Sequence, residues 1–376
     1  MANNFTASVI PIIRAAMTQV FTNKGNVQPE LNKTPITAPV LLSKQTAKVE
    51  ELKAGSGDLC VGTRIWYSTA DNTALPTISG TAVASDCDLT TGDGMSTAYV
   101  DYDFNVFAKE TIALNDKDCD NFFKFQERVA ELLLHKQSLM VQAFNTHVIN
   151  ELEANKTTAT TTELVDNVTV VAGDYTITGA DYWTGDKVQE TFAIFDQLAD
   201  KHGLGDYVVI SGRSLKVAQM MASFNGGNVG TTKFGNNVAF GSNEVFWDTR
   251  NLDTTIGAEV VYLVDPRAYA SYFYSQYPAQ GEDLKDDKNT VVFSLDLQYY
   301  NNFAQNNANV TDLQYQNGGL LVPATIDVRY QKKCDVTNTK YGKPSLNHIW
   351  ELDLVSLFEL APNDGNETGI VKVVKA

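Results

Sequence analysis

The chain is poor in the residues that carry chemistry. Its 376 residues include four histidines and four cysteines. Cys60, Cys87, Cys119 and Cys334 are far apart and form no C-x-x-C pair, which excludes a zinc knuckle or redox dithiol and makes free thiols in a reducing compartment the expectation. His135 and His147 stand twelve positions apart in a helical stretch, so they point about 120° apart and share no metal. They read as packing residues, and Cys119 reads as part of a helix start. There is no H-E-x-x-H, no G-x-S-x-G and no phosphate-binding loop, and Gly55-Ser-Gly57-Asp-Leu-Cys-Val-Gly62 misses the dinucleotide spacing. The expectation is a non-enzyme with no catalytic, cofactor-binding or metal residues. Long apolar runs are also missing: nothing approaches the roughly 18 residues of a membrane span. The opening Met1 to Arg14 has no charged start, and Pro11 and Arg14 interrupt its one apolar cluster. That pattern is not a signal peptide, so synthesis and assembly in the cytoplasm are expected.

Positive charge is the other scarcity. Twenty-nine Lys and Arg face 45 Asp and Glu, a net charge of -16, which disfavours global binding to nucleic-acid phosphate. The deficit is uneven. Residues 1–50 hold Arg14, Lys24, Lys33, Lys44 and Lys48 against Glu30 and Glu50, a net +3 that leaves -19 for the rest.

What is present is globular: 43% hydrophobic and 20% charged residues, at a length suited to two or three lobes. Residues 1–55 read as an extended arm, broken by Pro29, Pro35 and Pro39, with Leu41 and Leu42 as scattered anchors. A polar loop follows from Gly62 to about Phe107. Its exit alternates strictly over Val100–Val106, which predicts a strand with one wet face, half of a long hairpin whose partner lies near Arg64 to Ser68. Then Phe122, Phe125, Val129, Leu132, Leu133, Met140, Phe144, Val148 and Leu152 recur at helical spacing with no Gly or Pro before Asn155. The prediction is one unbroken helix over 118–154, roughly 50 Å long.

Beyond the helix, Val168–Val171 and Tyr175–Thr178 read as short strands. An amphipathic helix through Val188, Phe192, Phe195 and Leu198 stops at Gly203, Tyr207–Ile210 is a buried strand, and Ser211-Gly-Arg-Ser214 turns into a second helix through Leu215, Val217, Ala218, Met220 and Met221. Asn225–Asn243 reads as loop, Glu259–Val264 as a buried strand and Glu282–Asn289 as a solvated turn. Val291–Leu297, Leu320–Tyr330 and Ile349–Leu360 read as strands, the last two returning to pack near the long helix.

Two local patterns imitate sites. Asp116-x-Asp118-x-Asp120-Asn121 with Glu127 copies the oxygen spacing of a calcium loop, but Asn121 stands where Gly is needed, Lys124 occupies a ligand position and a strand-like segment precedes it. An acidic helix start accounts for it better. Ser211 and Ser214 sit at a strand-to-helix turn, where a hydrolase would need a base; His202 is the one histidine nearby in sequence, and a helix cap accounts for the serines better.

In order, the segments are a basic arm, a long two-stranded loop, a long helix, a compact α/β lobe and returning strands. This order resembles the major capsid proteins of tailed bacteriophages, of the Hong Kong ninety-seven type. Tyr207–Ala218, Phe234-Gly-Asn-Asn-Val238 and Val264-Asp-Pro-Arg-Ala-Tyr-Ala270 are similar to axial-domain segments of that family. The resemblance implies an α+β fold: an N-terminal arm over 1–55, an extended loop and flanking strands over 56–115, a peripheral domain over 116–185 with its spine helix at 118–154, an axial domain over 186–317, and a return to the peripheral domain over 318–376. It implies an icosahedral head shell, built from hexamers and pentamers of the chain around double-stranded DNA, with scaffolding, portal and cement proteins as further partners and the arm facing the DNA weakly. Its location would be the virion. Some members weld their shells through a lysine of the extended loop. Here Ala54–Ala108 contains no lysine and Arg64 as its one basic residue, so noncovalent cohesion is expected. The alternative is another multimeric structural protein, a tail component or adhesin, which suits the Thr- and Asn-rich loops and the tyrosines.

Overall fold

The computed structural model describes residues 36–46, 48–53, 60–70, 95–115, 122–160, 167–184, 187–216, 237–240, 243–275, 290–296, 325–340, 343–360 and 368–376. The expectations for 1–35, for the acidic stretch 116–121, for the second helix beyond 216 and for the turn 282–289 lie outside these residues.

The first element overturns part of the sequence reading. Within the segment expected to be extended, helix α1 spans Thr37–Lys44, and Thr37 to Leu42 are buried. Pro39 is tolerated because it sits in the first helical turn, where backbone N–H groups have no intrahelical acceptor to lose. Strands β1 (Lys48–Lys53), β2 (Cys60–Ala70) and β3 (Met95–Tyr102) follow as an antiparallel three-stranded ribbon. Arg64 lies opposite Asp101 and Ser68 opposite Thr97, the pairing expected from the alternation. The strand expected over Val100–Val106 is two strands: β3 ends at Tyr102 and β4 (Val106–Asn115) starts after a corner. Asn105 turns the corner, accepting from Phe358 N at 3.1 Å and donating to Phe358 O at 3.0 Å. An alternating pattern carries no mark of such a corner, because both strands keep a period of two.

Helix α2 runs over Phe122–Ala154, 33 residues, about 50 Å of rod. Val129, Leu133, Met140, Phe144, Val148 and Leu152 form its buried stripe, as the spacing predicts. Next come β5 (Val168–Val171) and β6 (Asp174–Ile177), joined through Ala172 and Gly173, both at positive φ, the mark of a type I′ hairpin turn. Short α3 (Asp181–Thr184) leads to α4 (Val188–Lys201). Gly203 ends α4 at φ 62°, with Gly203 N on Asp200 O at 3.2 Å and Leu204 N on Ala199 O at 2.9 Å, the bond pair of a Schellman stop. Strands β7 (Val208–Ser211), β8 (Asn237–Phe240) and β9 (Asn243–Trp247), short α5 (Asn251–Thr255) and β10 (Val260–Val264) complete this part. β8 falls in the span read as loop. Its four residues carry too little pattern to stand out among glycines and asparagines, and pairing with β9 makes it a strand.

The closing strands are β11 (Tyr269–Tyr274), β12 (Thr290–Asp296), β13 (Thr325–Lys340), β14 (Lys343–Leu360) and β15 (Ile370–Lys375). They cut across the boundary expected at residue 317. β11 and β12 join β13, β14 and β4 in a five-stranded sheet, whereas β15 enters a seven-stranded sheet of order β5-β6-β15-β10-β7-β9-β8. A strand lies where its side chains can be buried. Ile370, Val371 and Val373 are fully buried in the seven-stranded sheet, while Phe293 and Leu295 of β12 face the core shared with α2.

Two cores result. Along β10, Val260, Tyr262 and Val264 belong to the core shared with α2 and the five-stranded sheet, and Val261 and Leu263 to the core under α4 with Phe195 and Leu198. Val208, Val209 and Ile210 alternate in the same way. The seven-stranded sheet is thus covered on both faces, which is why its strands read as continuous apolar runs.

Candidate assembly interface

The residues weighed for chemistry do not converge. His202 is buried and its Nε2 lies 2.8 Å from Tyr175 Oη. Ser211 is buried and its Oγ donates weakly to Phe246 O at 3.4 Å. At the helix turn after it, Asp253 Oδ1 accepts from Arg213 N at 2.9 Å. Burial pushes the Asp253 carboxyl up, and the Arg213 N–H opposes it. His135 and His147 are half-buried on α2. Of the calcium-like stretch, Glu127 lies on α2 and Asp116–Asn121 lie outside the described residues. Cys334 is exposed and free. Among the described residues no cluster of three or more His, Cys, Asp or Glu side chains could hold a metal ion. No described helix is long and apolar enough to cross a membrane.

What the molecule does present is surface. The ribbon of β1, β2 and β3 joins the body through a small apolar cluster: Ile65, Ala270 and Leu357 are buried together, with Val49, Tyr102, Phe104 and Tyr272 around them. On its wet side, Arg64 Nε and Nη2 donate to Asp101 Oδ1 and Oδ2 at 2.6 and 2.9 Å. The Arg64 guanidinium also lies 3.8 Å from the centre of the Tyr99 ring. Those donated hydrogen bonds hold the Asp101 carboxyl below its ordinary range. The planar fork of Arg64 therefore staples two strands while Tyr99 stays 49% exposed.

The start of α1 is fixed to the body by buried side chains. Asp248 Oδ2 accepts from Thr37 N at 3.2 Å, Thr37 Oγ1 at 2.7 Å and Asn145 Nδ2 at 3.0 Å, and Asn145 Oδ1 accepts from Ala38 N at 2.7 Å. Two orphan N–H groups of the helix are thus satisfied from a distant part of the chain. At the other end, Tyr269 Oη donates to Leu41 O at 2.6 Å, and the Gln45 amide makes both backbone hydrogen bonds to Ser271, at 3.0 and 2.8 Å. Helix α1 is thus held to the body at both ends.

The end of α2 is tied to the seven-stranded sheet by ions. Lys372 of β15, 7% exposed, donates to Glu153 at 2.8 Å and pairs with Asp174 at 2.9 Å, and Lys156 bridges the same two carboxylates. Tyr262 Oη donates to Glu153 Oε2. Burial pushes the Glu153 carboxyl up, but the bonds from Lys156, Lys372 and Tyr262 outweigh it and leave it below its ordinary range. Burial, then the Glu153 bond, drives the Tyr262 hydroxyl far up. Neither lysine stands out in the sequence as an interior residue.

The outward face of the five-stranded sheet carries a groove of about 350 Å3 lined by Phe107, Lys109, Tyr274, Arg329, Asp353 and Val355 among others. Phe107 is 68% exposed. Asp353 lies directly opposite both Lys109 and Asp327; burial and then Glu351 push its carboxyl up.

No family model matches the chain, and no curated protein does. Several solved structures are similar in fold. The capsid asymmetric unit of cyanophage A-1(L) is 13% identical, with 83% of this chain and 87% of that one covered at a TM-score of 0.45. The capsid of cyanophage P-SCSP1u is 8% identical over 87% and 85%, with a TM-score of 0.41. The mature capsid of bacteriophage PhiM1 is 8% identical over 83% and 82%, with a TM-score of 0.38. Over most of its length, this α+β chain is similar to bacteriophage capsid structures.

Proposed function

We propose that the chain is the major capsid protein of a tailed bacteriophage, a structural and non-enzymatic subunit that self-assembles into the icosahedral head shell around double-stranded DNA. The observation that carries this reading is the division between a body with two cores and a separate three-stranded ribbon, which among the described residues meets the body at Ile65, packed with Ala270 and Leu357. In a closed assembly such a ribbon can reach a neighbour and add burial there. In this reading the mildly basic residues 1–35, with Arg14, Lys24 and Lys33 against Glu30, reach neighbours or face DNA. Cohesion is noncovalent in this reading: no lysine lies between Ala54 and Ala108, so the β2–β3 hairpin offers no amine for an isopeptide bond. In this reading the partners are copies of the chain in hexamers and pentamers, together with portal, scaffolding or cement proteins. Assembly takes place in the host cytoplasm and the product resides in the virion.

Deleting residues 71–94, between β2 and β3, tests it. The expected product is a soluble subunit with unchanged circular dichroism that forms no stable shells in electron micrographs. Shells of normal size from the deleted chain would remove the ribbon from the assembly contacts and with it the basis of the proposal.

A further inference from the structure

The groove on the outward face of the five-stranded sheet is built from rows of side chains that the register sets side by side. In the first row Phe107 of β4 lies opposite Val355 of β14, which lies opposite Tyr274 of β11. In the next, Lys109, Asp353 and Asp327 follow one another across β4, β14 and β13, and in the third Glu351 lies opposite Arg329. Both cations lean on the third row: Lys109 Nζ is 2.7 Å and Arg329 Nη1 3.7 Å from Glu351 Oε1. Asp327 accepts from Ser275 Oγ at 2.7 Å. Among the described residues, no hydrogen bond or ion pair reaches Asp353. Its carboxylate therefore stands in the middle of the groove with burial, and then Glu351, acting against its charge. Beside it Phe107 is 68% exposed. A half-buried charge without a partner and an aromatic ring left in water are two costs that one ligand group removes together, a cation on an apolar stem.

We propose that this groove seats a lysine or arginine side chain of a polypeptide other than this chain, its stem against Phe107 and its head on Asp353. Charge selects the occupant: Asp327, Glu351 and Asp353 outnumber Lys109 and Arg329 on this face, which is unsuited to nucleic-acid phosphate. A small inorganic cation would leave Phe107 in water, whereas a basic side chain flanked by apolar residues covers both groups. The β2–β3 hairpin of a neighbouring copy does not supply the cation, because Ala54–Ala108 has no lysine and Arg64 is bonded to Asp101. The inference does not rest on the shell reading, since the single subunit already forms the groove.

The test uses the dissociated full-length protein and a fluorescein-labelled peptide, Gly-Ser-Leu-Lys-Val-Ser-Gly capped at both ends, with versions carrying arginine, norleucine or glutamate in place of the lysine. Binding is followed by fluorescence anisotropy at about 50 mM salt. The lysine and arginine peptides are expected to bind at least about tenfold more tightly than the norleucine and glutamate peptides. Asp353→Asn should abolish that preference and Phe107→Ala should weaken binding of the lysine peptide. Lys109→Gln should leave it undiminished, because it removes a competing cation. Glu190→Gln, which removes one negative charge from α4, is the control and should change nothing. An absent preference for the basic peptides, a preference that survives Asp353→Asn, or an equal loss on Glu190→Gln overturns the proposal. So does weaker binding to Lys109→Gln, which would assign the groove to an anion, and so does inhibition of wild-type self-association by the lysine peptide, which would assign it to a second copy. If either Asp353→Asn or Phe107→Ala loses the wild-type circular dichroism, the other decides alone. Failure on any of these counts leaves the shell reading standing, because that reading rests on the ribbon and not on this face.

Discussion

Asp248 and Glu153 do more for this molecule than their number suggests, because each is a carboxylate on which several distant elements converge. Asp248 is 1% exposed and accepts bonds from Thr37, Asn145 and, at 2.9 Å, Asn251 N. Replacing it by alanine orphans several buried donors at about 1–3 kcal/mol each. Asp248→Ala should therefore destabilise the dissociated subunit by at least about 3 kcal/mol in urea unfolding, and should free Thr37 for early proteolysis. Glu153 gives a pH dependence. Because its folded-state value is depressed, its contribution is complete above the ordinary glutamate value of 4.5 and is lost as the pH falls through the lower folded value. Burial alone would lower the Lys156 ammonium, but its bonds to Asp174 and Glu153 raise it; that contribution is present below the ordinary 10.5 and is lost as the pH rises through the raised value. Glu153→Gln should cost about 1–3 kcal/mol at pH 7, a figure reduced for the 29% exposure of the carboxyl side chain. The gap between variant and wild type should begin to narrow as the pH falls below 4.5 and be gone once the pH is below the depressed folded value. A gap that does not narrow at all as the pH falls from 7 to acid would mean that the carboxylate charge is not what matters.

At the scale of elements, truncation separates the arm from the body. Removing residues 1–35 should leave unfolding of the subunit nearly unchanged. Removing 1–46 deletes Ala38, Val40, Leu41 and Leu42, all buried, and should cost several kcal/mol, at about 1.5–3 kcal/mol for each large side chain. Equal stability of the two products by thermal unfolding would contradict the anchoring of α1. These elements also show what a sequence can reveal. α2 was legible because its stripe repeats over 33 residues, and β7 and β10 because strands covered on both faces are apolar throughout. The β2–β3 pairing followed from the alternation of its exit strand. α1 was hidden because prolines mark breaks only when their position in the turn is ignored. β15 was hidden because its run includes Lys372, a buried lysine whose partners come from α2 and β6. Scarce histidines and absent motifs were legible directly, but the Asp248 anchor was not, because it joins residues 103 and 211 positions apart.

At the scale of the whole molecule, an acidic chain folds around two cores and carries a separate three-stranded ribbon. In the shell proposed above, that ribbon would lie against a neighbouring subunit. The most direct measurement is electron microscopy of the purified full-length protein over a range of concentrations, with limited proteolysis of the same samples. The account predicts hollow shells or their hexamers and pentamers as concentration rises, with residues 1–35 and 71–94 cut in the free subunit and protected once assembled. A particle that stays monomeric at every concentration, with both segments protected throughout, would contradict it.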